Sequence, residues 1–157
     1  MPIVYLSLGS NLNMPRRQLS NSFKNLRTLP RTCLHTRSKI YLTRPMGVKA
    51  QSNYFNVVVT IKTQLSPYAL FLQCKKIEQK QRRIHKKIWG SRSIDIDILL
   101  YGHISMRKHR LTIPHPQLMC RDFVVVPLLE LSPQHCLPSG EYVSLRPDIE
   151  KTIIRSC

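Results

Sequence analysis

Residues 93–101 read Ser-Ile-Asp-Ile-Asp-Ile-Leu-Leu-Tyr, and this stretch decides the fold. Isoleucine alternates with a polar residue up to position 98, which predicts a β-strand with one apolar face. Because residues two apart on a strand point to the same side, Asp95 and Asp97 are expected to project together. They would lie roughly 6.5 Å apart, close enough to share a pair of divalent cations. Two acids on the polar face of a strand also occur without metal, so the pair alone leaves a purely structural interpretation open.

A basic segment precedes this strand. Residues 82–92 read Arg-Arg-Ile-His-Lys-Lys-Ile-Trp-Gly-Ser-Arg. Guanidinium groups bind phosphate oxygens bidentately and stabilise the charge on a transferring phosphoryl group. Mg2+ is commonly held by one or two carboxylates together with substrate phosphates. Paired acids beside a basic segment therefore indicate phosphoryl transfer, although some of these cations could simply favour a helix end.

The common nucleotide-binding loops are absent from the sequence. It contains no GxxxxGK[ST] loop, no GxGxxG and no protein-kinase motif set. Phosphate would therefore have to be held by side chains and metal.

Periodicity predicts alternating strands and helices over most of the chain. A helix is expected from Asn13, as the N-cap, to Leu29, and another begins at Ser66 and Pro67 and carries Glu78. Strands are predicted at residues 3–8, 39–43, 54–63 and 93–101, and a hairpin leads to 111–113. This order predicts an α+β fold, an α/β sandwich with a ferredoxin-like βαββαβ core and C-terminal additions.

The last third of the chain is less informative. Residues 123–131 read Phe-Val-Val-Val-Pro-Leu-Leu-Glu-Leu, in which the valines favour a strand and the leucine-rich end a helix. The local pattern leaves both open. No element is predicted after Pro133.

Composition limits the class of protein. The 157 residues fit a single domain, 1–157, and residues 1–157 show no leader peptide or apolar run long enough for a membrane span, so a cytoplasmic protein is expected. The five cysteines lack CxxC spacing and are expected to be reduced, with Cys74 in the core. The 25 Lys and Arg against 8 Asp and Glu give a net charge of +17, which attracts nucleotides or nucleic acid alike.

Five sequence blocks together resemble one known family. They are YLSLGSN at 5–11, NYFN at 53–56, WGSRSIDIDIL at 89–99, PHP at 114–116 and RDFVVVPL at 121–128. In this order and spacing they are similar to the 6-hydroxymethyl-7,8-dihydropterin pyrophosphokinase (2-amino-4-hydroxy-6-hydroxymethyldihydropteridine diphosphokinase) family. The resemblance implies a ferredoxin-like fold and an ATP-dependent diphosphotransferase of folate biosynthesis that gives AMP and the pterin diphosphate.

The same resemblance implies the ligands and the residues that hold them. Two Mg2+ ions would accompany ATP and would be bound by Asp95 and Asp97. The expected ATP-binding residues are Glu78, Arg83, His85, Arg92, Ile98, Arg110, Thr112, His115 and Arg121, with Arg83 and Arg92 also catalytic. The pterin site is expected to comprise Thr43, Pro45, Met46, Tyr54, Asn56, Trp89, Asp95 and Phe123. The partners would be these two small substrates, with no nucleic acid or membrane, and the protein would be a monomer.

The chain departs from the family pattern in two places. The basic loop before Trp89 has no glycine and one residue fewer than usual, and His85 falls where a second arginine is common. Arg82 and Arg83 therefore remain alternatives for the phosphate clamp. Lys75 occupies the place of a family glutamine.

An RNA-binding module without catalysis is the main alternative, since ferredoxin-like folds include RNA-binding domains and the chain is basic. It predicts an RNP1-type aromatic segment, which the sequence lacks.

Overall fold

The computed structural model describes residues 1–47, 50–81 and 92–157. Its helices are α1 (Pro15–Arg27), α2 (Pro67–Lys80) and α3 (Asp122–Leu131), and Leu118–Cys120 forms a 3-10 turn. Its strands are β1 (Ile3–Ser10), β2 (Thr32–Arg37), β3 (Tyr41–Thr43), β4 (Tyr54–Thr63), β5 (Asp95–Tyr101), β6 (Met106–Lys108), β7 (Leu111–Ile113) and β8 (Ile153–Ser156).

One antiparallel sheet organises the chain, in the order β5-β1-β4-β3-β8. β2 also pairs with β4, next to the other end of that strand. The short hairpin β6–β7 forms a separate two-stranded sheet. The order places β1 between β5 and β4, as expected for the predicted ferredoxin-like core, and β8 is the C-terminal addition.

The two faces of the sheet carry different helices. Leu6 and Leu8 of β1 pack in one core cluster with residues of α1 and α2, including the buried Cys74 as predicted. Tyr5 points to the opposite face, where it joins a second cluster with α3. Because side chains alternate across a strand, Ser7 and Gly9 lie on the same face as Tyr5. This face, beyond the part covered by α3, carries the candidate site.

Residues 122–131 form a helix, whereas the sequence pattern of residues 123–131 could not decide between strand and helix. Burial decides the outcome, because Val124, Val125 and Leu128 are fully enclosed against Tyr5 and neighbouring side chains. Tertiary packing of this kind overrides the lower helix propensity of valine.

Two local predictions need correction. Asn13 is not the N-cap of α1, because Met14 occupies that position with a left-handed backbone. The Asn13 amide instead donates to Ser93 Oγ at 3.0 Å, so it is used to hold the segment before β5. The strand expected at 39–43 is reduced to β3, and β2 and β8 were not predicted.

The start of α2 is confirmed. Ser66 is the N-cap and its side chain accepts the Ala69 N–H at 3.2 Å, with Pro67 in the first turn. No helix in the described part of the chain is both long and apolar enough to cross a membrane.

Candidate active site

A cleft of about 660 Å3 opens on the α3 face of the sheet, and we refer to it as the central cleft. The ends of β1 and β3, the starts of β4 and β5 and the first turn of α3 contribute to it. Its lining residues are Ser7, Gly9, Thr43, Arg44, Met46, Tyr54, Asn56, Arg92, Asp95, Asp97, Arg121 and Phe123.

The two aspartates of β5 lie on this face together, as the alternation predicted. β1 pairs with β5 so that Ser7 is opposite Asp97 and Gly9 opposite Asp95. Arg92 forms an ion pair with Asp95. Burial, and then the neighbouring Asp95, raise the pKa of the Asp97 carboxyl above its ordinary value. Two crowded carboxylates of this kind are suited to bind a cation.

Asn56 of β4 presents a fixed amide on the opposite wall of the central cleft. It is buried, and its Nδ2 donates to Thr43 Oγ1 at 2.7 Å. Gly9 is directly across the strand pair, and a Cβ there would lie 2.5 Å from Asn56 Oδ1. A glycine is therefore required at position 9 for the amide to keep this position.

Aromatic side chains flank the same cleft. Tyr54 donates from its hydroxyl to Gln51 Oε1 at 3.2 Å, and burial raises the pKa of this phenol. Phe123 lies in the first turn of α3, with the Arg121 guanidinium 5.7 Å from the centre of its ring. These rings give the cleft flat apolar surfaces suited to a planar heteroaromatic ligand.

Arg121 is partly withdrawn from water and has a protein partner. Its guanidinium donates to Gln117 Oε1, and burial lowers the pKa of the guanidinium from its ordinary value. The group remains charged, since an arginine side chain does not lose its proton in a protein. It is thus a positioned cation at the edge of the central cleft.

A second depression of about 650 Å3, open to solvent, lies beside β5, and we call it the hairpin cleft. Asp97 lines both clefts. The other lining residues of the hairpin cleft are Phe71, Ile96, Ile98, Lys108, His109, Arg110, Leu111, Thr112, His115 and Pro116.

His115 is held in the hairpin cleft by its own loop. Its backbone N–H donates to Leu99 O at 2.9 Å, and its Nδ1 accepts the Gln117 N–H at 3.2 Å. Burial lowers the pKa of this imidazole. A neutral ring that accepts at Nδ1 carries its proton on Nε2, so His115 can offer one N–H to a ligand oxygen.

The predicted site residues thus fall into two groups. Thr43, Met46, Tyr54, Asn56, Asp95 and Phe123 meet in the central cleft with Arg92 and Arg121, whereas Ile98, Arg110, Thr112 and His115 meet in the hairpin cleft. Pro45 lies between two residues that line the central cleft but is not itself one of them. Arg83, His85, Trp89 and the alternative Arg82 lie outside the described residues.

Glu78 lies behind the acid-bearing strand rather than among the lining residues of either cleft. Its side chain is 2% exposed, forms an ion pair with Lys75 at 3.0 Å and accepts the N–H of Ile96 at 2.8 Å. Since Ile96 stands between the two aspartates, these contacts fix the strand that carries them. Its expected contact with ATP stays a prediction.

The sequence prediction missed several lining residues. Ser7, Gly9 and Arg44 line the central cleft, and Phe71, Lys108 and His109 line the hairpin cleft. The YLSLGSN block held a signal for the first two, because alternation from Tyr5 places Ser7 and Gly9 on one face. Whether they lie on the same face of the sheet as Asp95 depends on the register between β1 and β5, and local sequence pattern does not determine that register.

The same block also positions Arg92. Asn11 Oδ1 accepts the Arg92 N–H at 2.8 Å, and Ser10 Oγ donates to Ser93 O at 2.5 Å. The turn after β1 therefore holds the entry to β5.

A ferredoxin-like α/β sandwich that gathers two carboxylates, two arginines and a neutral histidine around connected clefts is typical of a metal-dependent phosphoryl-transfer enzyme. A model of the 7,8-dihydro-6-hydroxymethylpterin-pyrophosphokinase (HPPK) family matches residues 5–133. The chain belongs to this family.

Curated relatives agree with the family match. A 2-amino-4-hydroxy-6-hydroxymethyldihydropteridine pyrophosphokinase of Haemophilus influenzae is 41% identical over 144 residues, which cover 92% of this chain and 90% of the relative. A protein of the same name from Pseudomonas aeruginosa is 37% identical over 140 residues, covering 89% of this chain and 86% of the relative.

Solved structures support the fold alone. A crystal structure of HPPK-DHPS in complex with substrates has a TM-score of 0.69 at 16% identity, covering 90% of this chain and 42% of that chain. A Plasmodium falciparum HPPK-DHPS structure has a TM-score of 0.67 at 14% identity, covering 94% of this chain and 44% of that chain. The chain thus spans less than half of the length of these two proteins.

Proposed function

We propose that this protein transfers a diphosphate group from ATP to the hydroxymethyl group of 6-hydroxymethyl-7,8-dihydropterin, giving AMP and the pterin diphosphate, a step in folate biosynthesis. The observation that carries the proposal is the position of Asp97, which lines both clefts next to Asp95. Acceptor and donor would occupy the two clefts and meet at this pair. The family match does not support the alternative of an RNA-binding module.

The central cleft suits the pterin. The Asn56 amide carries both a donor and an acceptor, which match the amino and oxo groups on the edge of a pterin ring. Tyr54 and Phe123 would contact the ring faces. Thr43 would hold Asn56 in the correct orientation through the 2.7 Å bond between them, so its contribution to the acceptor site would be positioning.

The hairpin cleft suits ATP. Ile98 and Phe71 offer apolar surface for a base, and Arg110 and Thr112 offer donors near the surface. His115 would donate from Nε2 to a phosphate oxygen, while Arg92 and Arg121 would reach the phosphates from the central cleft. Charge-assisted donors of this type stabilise the negative oxygens of a transferring group.

The acid pair fits Mg2+ on chemical grounds. Both donors are carboxylate oxygens on one face, and the raised pKa of Asp97 reflects burial and crowding that a bound cation would relieve. Over residues 1–47, 50–81 and 92–157 no cluster of three or more His, Cys, Asp or Glu is placed to hold a metal. Phosphate and water oxygens would therefore complete the coordination of the two ions. When bound, Mg2+ supplies charge neutralisation at the phosphates.

The reaction itself needs alignment more than covalent help from the protein. The hydroxymethyl oxygen attacks the β-phosphorus, a new O–P bond forms, and the bond from the β-phosphorus to the α–β bridging oxygen breaks. AMP leaves with that electron pair, and the hydroxyl proton passes to water. Holding both substrates at a junction lined by fixed charges supplies most of the rate enhancement expected for phosphoryl transfer.

The test is incubation of the purified protein with ATP, MgCl2 and 6-hydroxymethyl-7,8-dihydropterin, with chromatographic measurement of AMP and pterin diphosphate. AMP should form in equal amount to the pterin product and only when the pterin is present. Addition of excess EDTA should stop the reaction. Formation of ADP instead of AMP, or AMP release independent of the pterin, would refute the proposal.

The remaining expectations concern assembly and partners. A monomer that binds only these small substrates would elute from size exclusion at the mass of one 18.3 kDa chain. Binding to RNA at physiological salt, measured by fluorescence anisotropy, would contradict the expected absence of a nucleic-acid partner.

A further inference from the structure

The C-terminal segment joins the two walls of the central cleft through one buried residue. Thr152 is 1% exposed and lies just before β8. Its carbonyl accepts the N–H of Arg44 at 2.9 Å. Its own N–H donates to Asp122 Oδ2 at 2.6 Å, and its hydroxyl donates to Asp122 Oδ1 at 2.5 Å. Residues far apart in sequence are thereby held at fixed separation.

Asp122 anchors the α3 wall of the cleft. It stands between Arg121 and Phe123, both lining residues, but its own side chain is 3% exposed and turns away to the C-terminal segment. Besides the two bonds with Thr152, its oxygens accept the N–H of Phe123 at 2.7 Å and of Ile153 at 2.9 Å. A carboxylate that accepts four hydrogen bonds is held in one orientation.

Arg44 anchors the opposite wall. It follows Thr43, the partner of the Asn56 amide, and precedes the segment that contains Met46. In addition to its backbone bond with Thr152, its guanidinium donates to Lys151 O at 3.2 Å. The pairing of β3 with β8 extends this contact, with Thr43 opposite Ile153 after an irregularity in register.

We propose that Asp122 and Thr152 form a brace that sets the distance between the Thr43–Met46 wall and the Arg121–Phe123 wall, and that they are positioning residues for the pterin. This inference rests on the proposed function, since it assigns the central cleft to the acceptor. A planar ring held between two walls is bound well only at one separation, so loosening the brace should weaken pterin binding. Neither Thr152 nor Asp122 is among the described residues that line the hairpin cleft, so the apparent affinity for ATP should change little.

The variants are chosen to change the brace and leave the lining residues intact. Thr152→Val replaces the hydroxyl with a methyl group of similar size. Asp122→Asn places an NH2 group where a carboxylate oxygen accepted hydrogen bonds from N–H groups. Thr152→Ser keeps the hydroxyl and serves as the conservative rescue. Thr63→Val is the matched control, because Thr63 is also fully buried and its hydroxyl bonds Thr32 Oγ1 at 2.7 Å at the other end of β4.

The measurements are KM for each substrate, kcat, and amide hydrogen exchange at Arg44 and Phe123, all below the melting temperature of each variant. We expect Thr152→Val and Asp122→Asn to raise KM for the pterin about tenfold, as for loss of a hydrogen bond to a charged group, with KM for ATP within about twofold. Exchange at Arg44 and Phe123 should accelerate together. Thr152→Ser should resemble the wild type, and Thr63→Val should lower the melting temperature without changing either KM.

Two results would overturn the brace. One is an unchanged KM for the pterin in both variants; the other is an equal rise in both KM values, which would indicate general loosening of the fold. A wild-type protein that forms no AMP would instead refute the proposed function. In that case hydrogen exchange still decides the brace, which fails if Arg44 and Phe123 keep their wild-type protection in Asp122→Asn.

Discussion

The two clefts that meet at Asp97 are built in different ways. In the central cleft the polar groups are held by the protein: Asn56 by Thr43, Arg92 by Asp95 and Arg121 by Gln117. In the hairpin cleft the cations are exposed: Lys108 ends β6, and Arg110 lies in the turn before β7. Polar groups held by the protein select a ligand by its shape and hydrogen-bond pattern. Exposed charged side chains mainly attract a ligand of opposite charge and change their conformation to fit it. The difference predicts that substitutions in the central cleft act strongly on one substrate and that substitutions on the hairpin act weakly.

Asp97→Asn should have the largest effect, because Asp97 serves both clefts. We expect the rate of AMP formation to fall at least about a hundredfold, in line with loss of a preorganised charge at a reacting phosphate. The matched control is Asp148→Asn, which makes the same chemical change at an exposed residue outside both clefts and should keep wild-type activity. Near-normal AMP formation by Asp97→Asn would remove the basis for treating the clefts as one active site.

The same variant should be more stable than the wild type when metal is absent. The pKa of Asp97 is raised in the folded state, so the folded protein holds this proton more tightly than the unfolded chain does. Stability from this group is present at low pH and is lost as pH rises through the folded-state pKa, so at pH 7 the ionised carboxylate is a net cost. Thermal unfolding in EDTA at pH 7 should therefore show a higher melting temperature for Asp97→Asn. A lower melting temperature would mean that Asp97 supports the fold.

Asn56→Asp tests the fixed character of the central cleft. The change keeps the size of the side chain but replaces the NH2 donor with an acceptor, so it alters the bond to Thr43 and removes the donor that we propose for the pterin. We expect KM for the pterin to rise at least about tenfold, with KM for ATP nearly unchanged. Asn25→Asp is the control, because Asn25 lies in α1 and its side chain accepts a hydrogen bond from Lys80 at the end of α2, outside both clefts. If both KM values rose together, the two clefts would not be separate substrate sites.

The elements that the sequence predicted well are those whose local pattern agrees with their environment. β4 contains a continuous β-branched run, Val-Val-Val-Thr-Ile, that is buried in the centre of the sheet, and α2 starts at a Ser-Pro cap. Both elements begin at the predicted residues. β2 and β8 were missed because they are exposed edge segments with little apolar alternation, held mainly by pairing with β4 and β3. α3 stayed ambiguous because its helix is selected by packing on Tyr5 and Val58, which no window of ten residues contains.

For the site, the sequence predicted chemistry better than placement. The spacing of Asp95 and Asp97 was sufficient to predict that they share a face. It could not show that Gly9 and Asn56 would meet across β1 and β4, because that contact depends on a register fixed by long-range pairing. Nor could it show that the Asp122 carboxylate within the RDFVVVPL block turns away from the cleft to hold Thr152.

Arg110→Ala should have the smallest effect and tests the adaptable character of the hairpin cleft. Arg110 is exposed, so the attraction that we propose between it and the ATP phosphates would be screened by water and salt. We expect KM for ATP to rise by about threefold at low ionic strength, with the difference shrinking toward none near 0.5 M KCl. Arg27→Ala is the control, because it also lowers the net charge of +17 by one but removes an exposed arginine of α1 that lines neither cleft. It therefore measures the effect of the overall charge of the protein alone. If the two substitutions raised KM for ATP equally, the overall charge would attract ATP and Arg110 would make no specific contact. If Arg110→Ala raised KM for ATP a hundredfold or more and the rise persisted in high salt, the hairpin would be as firmly organised around its ligand as the central cleft.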